Sequence, residues 1–134
     1  MTDRKYEKNI MTDFNTTKDE YGIYLYKLNE EKIKGISIFA DSCWIFPRTE
    51  KIVLEEKPHS HDFDEIVAFY GSDTENPKDL CGEIDFWMED EKYTLANSCN
   101  IFIPRGVVHC PVTINRVDKP IFHFLTGDTG TYAK

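Results

Sequence analysis

The sequence predicts an all-β chain, folded as a sandwich or barrel. From residue 21 onward it is a series of about nine short apolar segments rich in β-branched and aromatic residues. None of them holds a 3.6-residue period long enough to make a helix. Turn-forming residues cut them apart at short intervals, as small all-β folds require.

Residues 1 to about 20 are polar and read as an arm outside the fold, or lying on a partner; residues 21–134 then form one domain. YGIYLYKL (21–28) is rich in strand formers, and the charged break Asn29-Glu30-Glu31-Lys32 ends it. KGISIFADSCWIF (34–46) and KIVLEE (51–56) follow as the second and third strands. EIVAFYG (65–71) stops at Gly71-Ser72-Asp73, and GEIDFWMED (82–90) follows the turn at Glu75-Asn76-Pro77. KYTLA (92–96) and NIFIP (100–104) are separated by Asn97-Ser98. VTINRV (112–117) and PIFHFLTG (120–127), broken by Asp118-Lys119-Pro120, complete the set. In 65–71 both faces are apolar: Val67 and Phe69 on one, Ile66, Ala68 and Tyr70 on the other. One face fills the barrel. The other calls for a second sheet or a second subunit, so a homodimer is expected.

Composition narrows the function classes. Apolar residues make up 40% of the 134, and 9 Phe, 7 Tyr and 2 Trp supply the mass of a core. A net charge of −8 without a basic patch argues against nucleic acid and against an anionic membrane. No apolar run approaches the ~20 residues of a membrane helix. The polar first twenty residues do not resemble a secretory leader, and the four cysteines form no CxxC pair. Reduced thiols and a cytoplasmic location are therefore expected.

The chemistry concentrates in EEKPHSHDFDEIVAFYG, residues 55–71. His59 and His61 are two apart, so an extended backbone aims both imidazoles into one space. Glu65 has the same parity, and a brief turn through Asp62-Phe63-Asp64 can return it beside them. In IPRGVVHCP a tight turn at Pro104 and Gly106 precedes His109, a third imidazole. Three neutral nitrogens and one carboxylate suit a divalent first-row metal.

These two stretches resemble the paired signature motifs of the cupin superfamily. The first runs His59-Ser60-His61, three residues, Glu65, five residues, Gly71; the second is Pro104-Arg105-Gly106-Val107-Val108-His109. The resemblance covers residues 50 to about 126. It implies a cupin-type double-stranded β-helix, a jelly-roll barrel, with His59, His61, Glu65 and His109 as ligands of one metal. Val53, Ser98 and Thr113 stand where the motifs carry glycine, glycine and asparagine, which are turn or support positions rather than ligands.

Other residues carry two readings each. His123 shares a strand side with Ile121 and Leu125; it is either a base facing the pocket or a core histidine. Asp62 and Asp64 read as solvated turn residues, with a hydrogen bond to an imidazole as the alternative. Cys110 points away from His109 by alternation, which makes it a buried structural thiol. Tyr24, Tyr26, Trp44, Phe86 and Trp87 line a pocket or fill the core. Arg48 and Arg105 are the cations best placed to hold a substrate carboxylate or phosphate, against a default of solvated charges.

The expected function is a metal-dependent enzyme acting on a small polar metabolite, either a dioxygenase or a sugar or keto-acid isomerase or lyase. Glu65 and His123 are its candidate catalytic groups. Fe, Mn or Ni leaves open positions for substrate, whereas tetrahedral Zn would be saturated by four ligands. The alternative is a non-catalytic cupin that binds or senses a small ligand.

Overall fold

A computed structural model describes residues 4–131. Nine strands appear in the predicted order: β1 (Gly22–Leu28), β2 (Phe39–Ile45), β3 (Ile52–Glu55), β4 (Glu65–Gly71), β5 (Asp79–Met88), β6 (Glu91–Asn97), β7 (Cys99–Ile103), β8 (His109–Val117) and β9 (Ile121–Gly127). The described residues contain no α-helix; one 3-10 turn spans Glu7–Asn9 in the arm. The arm touches the outside of β1. Asn15 N–H donates to Leu25 O, and Tyr26 meets Phe14 at 5.0 Å between ring centroids.

All pairings are antiparallel. One sheet runs β1-β2-β9-β4-β7 and the other β3-β8-β5-β6, and the two face each other as a jelly roll. Directly paired residues share a face, so each sheet presents rows of side chains. On the inner face of the five-stranded sheet one row is Tyr24–Cys43–His123–Phe69–Cys99. The next is Asp41–Leu125–Val67–Ile101, and the row beyond is Phe39–Gly127–Glu65–Ile103. Facing them, Ile52–Ile114–Ile84–Leu95 forms a row across the four-stranded sheet. Phe69, Leu80, Ile84, Phe86, Ile114 and Ile121 are almost fully buried and make up the centre of the core between the two sheets.

Gly127 is opposite Glu65 for a steric reason. A Cβ there would lie 2.5 Å from the Phe39 ring and 2.9 Å from the Phe63 ring. Its absence lets those two rings meet edge to face at 5.5 Å under the histidine loop.

Alternation fails at one predicted position. Cys110 has φ of 80°, so its side chain does not flip away as expected; it lines the same cavity as His109. It is buried among apolar groups, in keeping with a structural thiol. No disulfide joins the cysteines.

Candidate metal centre

Pro58 and the charges before it end β3, and the chain then stays alongside β8. His59 and His109 exchange both backbone hydrogen bonds, at 3.0 and 2.9 Å. Such a pair places two side chains opposite each other on one face, and the ring centroids are 4.5 Å apart. Two residues on, His61 O accepts the Gly106 N–H at 2.8 Å. Gly106 has φ of +84°, a left-handed conformation that glycine adopts without a Cβ clash. The turn before His109 is thus fastened to the backbone of His61.

The ligand-capable nitrogens of His59, His61 and His109 all lie within 4.8 Å of one another. Glu65 Oε1 stands 3.4 Å from His109 Nε2 and 3.7 Å from His61 Nε2. Burial is deep: His61 is 6% exposed, Glu65 3% and His109 2%. The structure therefore brings all four predicted residues to one point.

The ring tautomers follow from the backbone. His59 Nδ1 is 2.9 Å from Lys57 O, and His109 Nδ1 is 3.0 Å from Val107 O. A carbonyl only accepts, so both Nδ1 atoms carry the proton and both Nε2 lone pairs face inward. His59 Nε2 and Glu65 Oε1 are buried with no hydrogen-bond partner. Orphaned acceptors converging at one point are what a cation would satisfy. Bonds of about 2.1 Å set adjacent donors of an octahedral ion about 3.0 Å apart and opposite donors about 4.2 Å apart; the Glu65 distances of 3.4 and 3.7 Å lie between these values, and the nitrogens, within 4.8 Å of one another, close in by up to about 1–2 Å on binding. Residue types, tautomers and spacing fit a divalent ion. His109 registers the same demand for positive charge. Burial pushes its imidazole down, but the Glu65 carboxylate, the Val107 carbonyl and the Glu65 and Glu55 charges outweigh it, and the net shift is upward.

Two features of this region escaped the sequence reading. Phe63, in the expected turn, is buried and stacks on His61 with centroids 4.6 Å apart and planes 13° from parallel. Asp64 is no idle turn residue. Its Oδ1 accepts the Arg105 N–H at 2.9 Å, and its own N–H donates to Asp128 Oδ1 at 2.9 Å. Asp62 is solvated, with only a 4.0 Å approach from Arg105.

The two candidate anion-binding arginines are engaged elsewhere. Arg105 Nη2 is 3.4 Å from Asp128 Oδ2. Arg48 donates to Glu50 O and lies over the Tyr21 ring, and neither arginine lines the cavity at the histidines.

That cavity has a volume of about 140 Å³, with walls that include Val67, Phe69, Phe86 and Val112. His123 lines it as well. Its Nδ1–H donates to Ala68 O at 3.1 Å, and its ring stacks on Phe69 at 4.3 Å. Burial pushes its pKa down to about 4. At neutral pH it is an uncharged ring whose Nε2 accepts hydrogen bonds and is a weak base.

Among solved structures, Peruvianin-I, a cysteine peptidase from Thevetia peruviana latex, superposes with a TM-score of 0.60 at 12% identity, covering 97% of this chain and 77% of its own. An oxalate decarboxylase of Bacillus subtilis gives 0.52 at 13% identity over 90% of this chain. This chain has the cupin fold. The resemblance at the two motifs and the jelly roll thus agree. No protein-family model and no curated protein matches the sequence. The chain spans only 29% of the decarboxylase, and at such identities the likeness to these cupins is one of fold alone.

Proposed function

We propose that His59, His61, Glu65 and His109 hold one divalent transition metal, and that the chain is a metal-dependent enzyme acting on a small polar metabolite. The observation that carries this is the convergence of three imidazoles and one buried carboxylate beside a mainly apolar cavity that His59, Glu65 and His109 line together with Glu55 and His123. Fe, Mn or Ni is favoured over Zn. The reaction is either dioxygenation or the isomerisation or lysis of a sugar or keto acid. When bound, the ion supplies Lewis-acid or redox chemistry.

The chain's own residues do the rest. Lys57 O and Val107 O fix the rings of His59 and His109. Glu65 offers an oxygen that can take a proton from a bound substrate. Apolar walls exclude water, and the uncharged His123 accepts a hydrogen bond without adding charge. A cavity of about 140 Å³ holds a reacting group no larger than about a benzene ring.

Thiol catalysis has less support here. Cys43, the register partner of His123, is pushed up to about 11, chiefly by burial, so at neutral pH it is a thiol rather than a nucleophilic thiolate.

The test is metal analysis of protein purified without chelator, followed by O2 uptake and turnover against a panel of diols and keto acids. Iron with O2 consumption selects the dioxygenase. Manganese or nickel with O2-independent turnover selects the isomerase or lyase. Metal without turnover selects the non-catalytic binding cupin. Full metal content in a His59→Ala/His109→Ala double variant refutes the site.

A further inference from the structure

A second cavity, of about 330 Å³, adjoins the first and shares Leu54, His123 and Leu125 with it as a common wall. It opens between β1, β2 and β3, and Tyr21, Tyr24, Asp41, Cys43 and Ile52 also line it. The inner rows explain its position: Asp41 is paired with Leu125, and Cys43 with His123. Asp41 therefore faces the same interior as Glu65, two strands away and two residues along. By strand geometry their Cα atoms are about 12 Å apart.

The chemistry of the lining is selective. Among the described residues no lysine or arginine lines the chamber. Asp19 is one of its two acids, and its Oδ1 is already used by the Tyr21 and Gly22 N–H groups. Asp41 is the other. Its Oδ2 accepts the Tyr24 hydroxyl at 3.2 Å. Lys27 is its cross-strand partner, yet no ion pair joins them within 4.0 Å and Lys27 does not line the chamber. The carboxylate thus stands in a largely aromatic and aliphatic wall, and among the described residues no lysine or arginine pairs with it within 4.0 Å. Burial pushes its pKa up, only partly offset by the Tyr24 hydroxyl and the Lys27 charge. A charge so placed is a poor neighbour for an anion and a good one for an ammonium group.

We infer that this chamber binds a small organic ammonium group carried on an apolar body, with Asp41 as its counter-ion and Tyr24 orienting the carboxylate. Joined to the metal centre proposed above, it names the substrate class: a metabolite with a basic amine at one end and the reacting group at the other. Only that last step rests on the metal reading.

Three probes of one shape test it: benzylamine, benzyl alcohol and benzoate, titrated calorimetrically into the full-length protein. Backbone amide shifts locate the binding. Benzylamine is expected to bind at least about tenfold more tightly than the alcohol, with shifts centred on Tyr24, Asp41 and Cys43, and benzoate to cause no shifts at those residues. Asp41→Asn should remove about tenfold or more of the amine affinity, and Tyr24→Phe a smaller part. Equal binding of amine and alcohol, binding of benzoate with shifts at Tyr24, Asp41 and Cys43, amine shifts elsewhere, or an Asp41→Asn variant with unchanged affinity would each overturn the inference. Metal content, measured on the same samples, separates the two readings. Metal without amine binding rejects this one alone; amine binding without metal rejects only the metal centre.

Discussion

Asp64 Oδ1 accepts the backbone N–H of Arg105 at 2.9 Å, across forty-one residues of sequence. The bond ties the turn ahead of His109 to the loop that carries His61, alongside the Gly106–His61 backbone bond. Asp64→Ala is therefore expected to cost about 1 kcal/mol of stability, the value of one such hydrogen bond. It should also loosen the spacing of the histidines and weaken metal binding by about tenfold, the lower end for lost supporting contacts. Asp64→Asn keeps an acceptor and should restore most of both. Calorimetric metal titration and urea unfolding of the two variants check this; equal metal affinity in Asp64→Ala and wild type would count against it.

Glu65 faces two of the imidazoles and has no hydrogen-bond partner at Oε1. Glu65→Gln preserves shape and a weaker oxygen donor. The expected result is a folded protein whose metal affinity falls by at least about tenfold and whose turnover, under the proposed function, is largely lost. Metal stoichiometry and thermal midpoint, each with and without added metal, are the measurements. Unchanged affinity would leave a three-histidine centre and favour oxygen chemistry over isomerisation.

Phe63 is the packing support of His61. Its ring is buried, flat against that imidazole and edge-on to Phe39. Phe63→Ala should cost about 3–5 kcal/mol, as large-to-small core changes do, and Phe63→Leu much less. Chemical denaturation at fixed pH measures both. A change below about 1 kcal/mol for the alanine variant would mean that the ring supports nothing.

The outer face of the five-stranded sheet remains apolar. Phe102 is 58% exposed beside its cross-strand neighbour Ile66, and Trp44, Phe122 and Tyr70 form a row on the same face. A homodimer through this face is the expected state, because contiguous apolar surface of this kind marks interfaces. Sedimentation should give a dimer for wild type and a monomer for Ile66→Lys/Phe102→Glu. A wild type that stays monomeric at high concentration removes the expectation.

The strands and the trio His59, His61 and Glu65 were legible because each is written locally, and His109 joined them through the resemblance of its Pro104-Gly106 turn to the second cupin motif. Alternation marks β5, a β-branched and aromatic run ended by Gly71-Ser72-Asp73 marks β4, and the spacing of His59, His61 and Glu65 survives any detail of the loop between them. What was hidden depends on distant partners. Phe63 sits among charges and reads as a turn until Gly127 is placed opposite Glu65 and makes room for its ring. Asp64 gains a role only through Arg105 and Asp128. Cys110 obeys a positive φ that periodicity cannot register. The chamber at Asp41 exists only because β2 pairs with β9 across about eighty residues of sequence.

His123 offers a test by pH. Its folded pKa is pushed down to about 4 by burial, against roughly 6.5 in an unfolded chain. Between these values the unfolded state binds the proton and the folded state does not. Protonation therefore favours unfolding as pH falls. The contribution is complete above pH ~6.5, declines through the window, and stops changing below about 4. A shift of this size corresponds to at most roughly 3 kcal/mol. Carboxylates titrate in the same range, so wild type alone does not isolate the effect. His123→Gln keeps a donor for Ala68 O but has no titratable ring, and it shares every carboxylate with wild type. The difference in unfolding free energy between the two proteins, measured by urea at intervals from pH 7.5 to 4, should move in favour of the variant by roughly 3 kcal/mol. A flat difference would mean that His123 titrates normally, as an accessible imidazole able to act as a base at neutral pH.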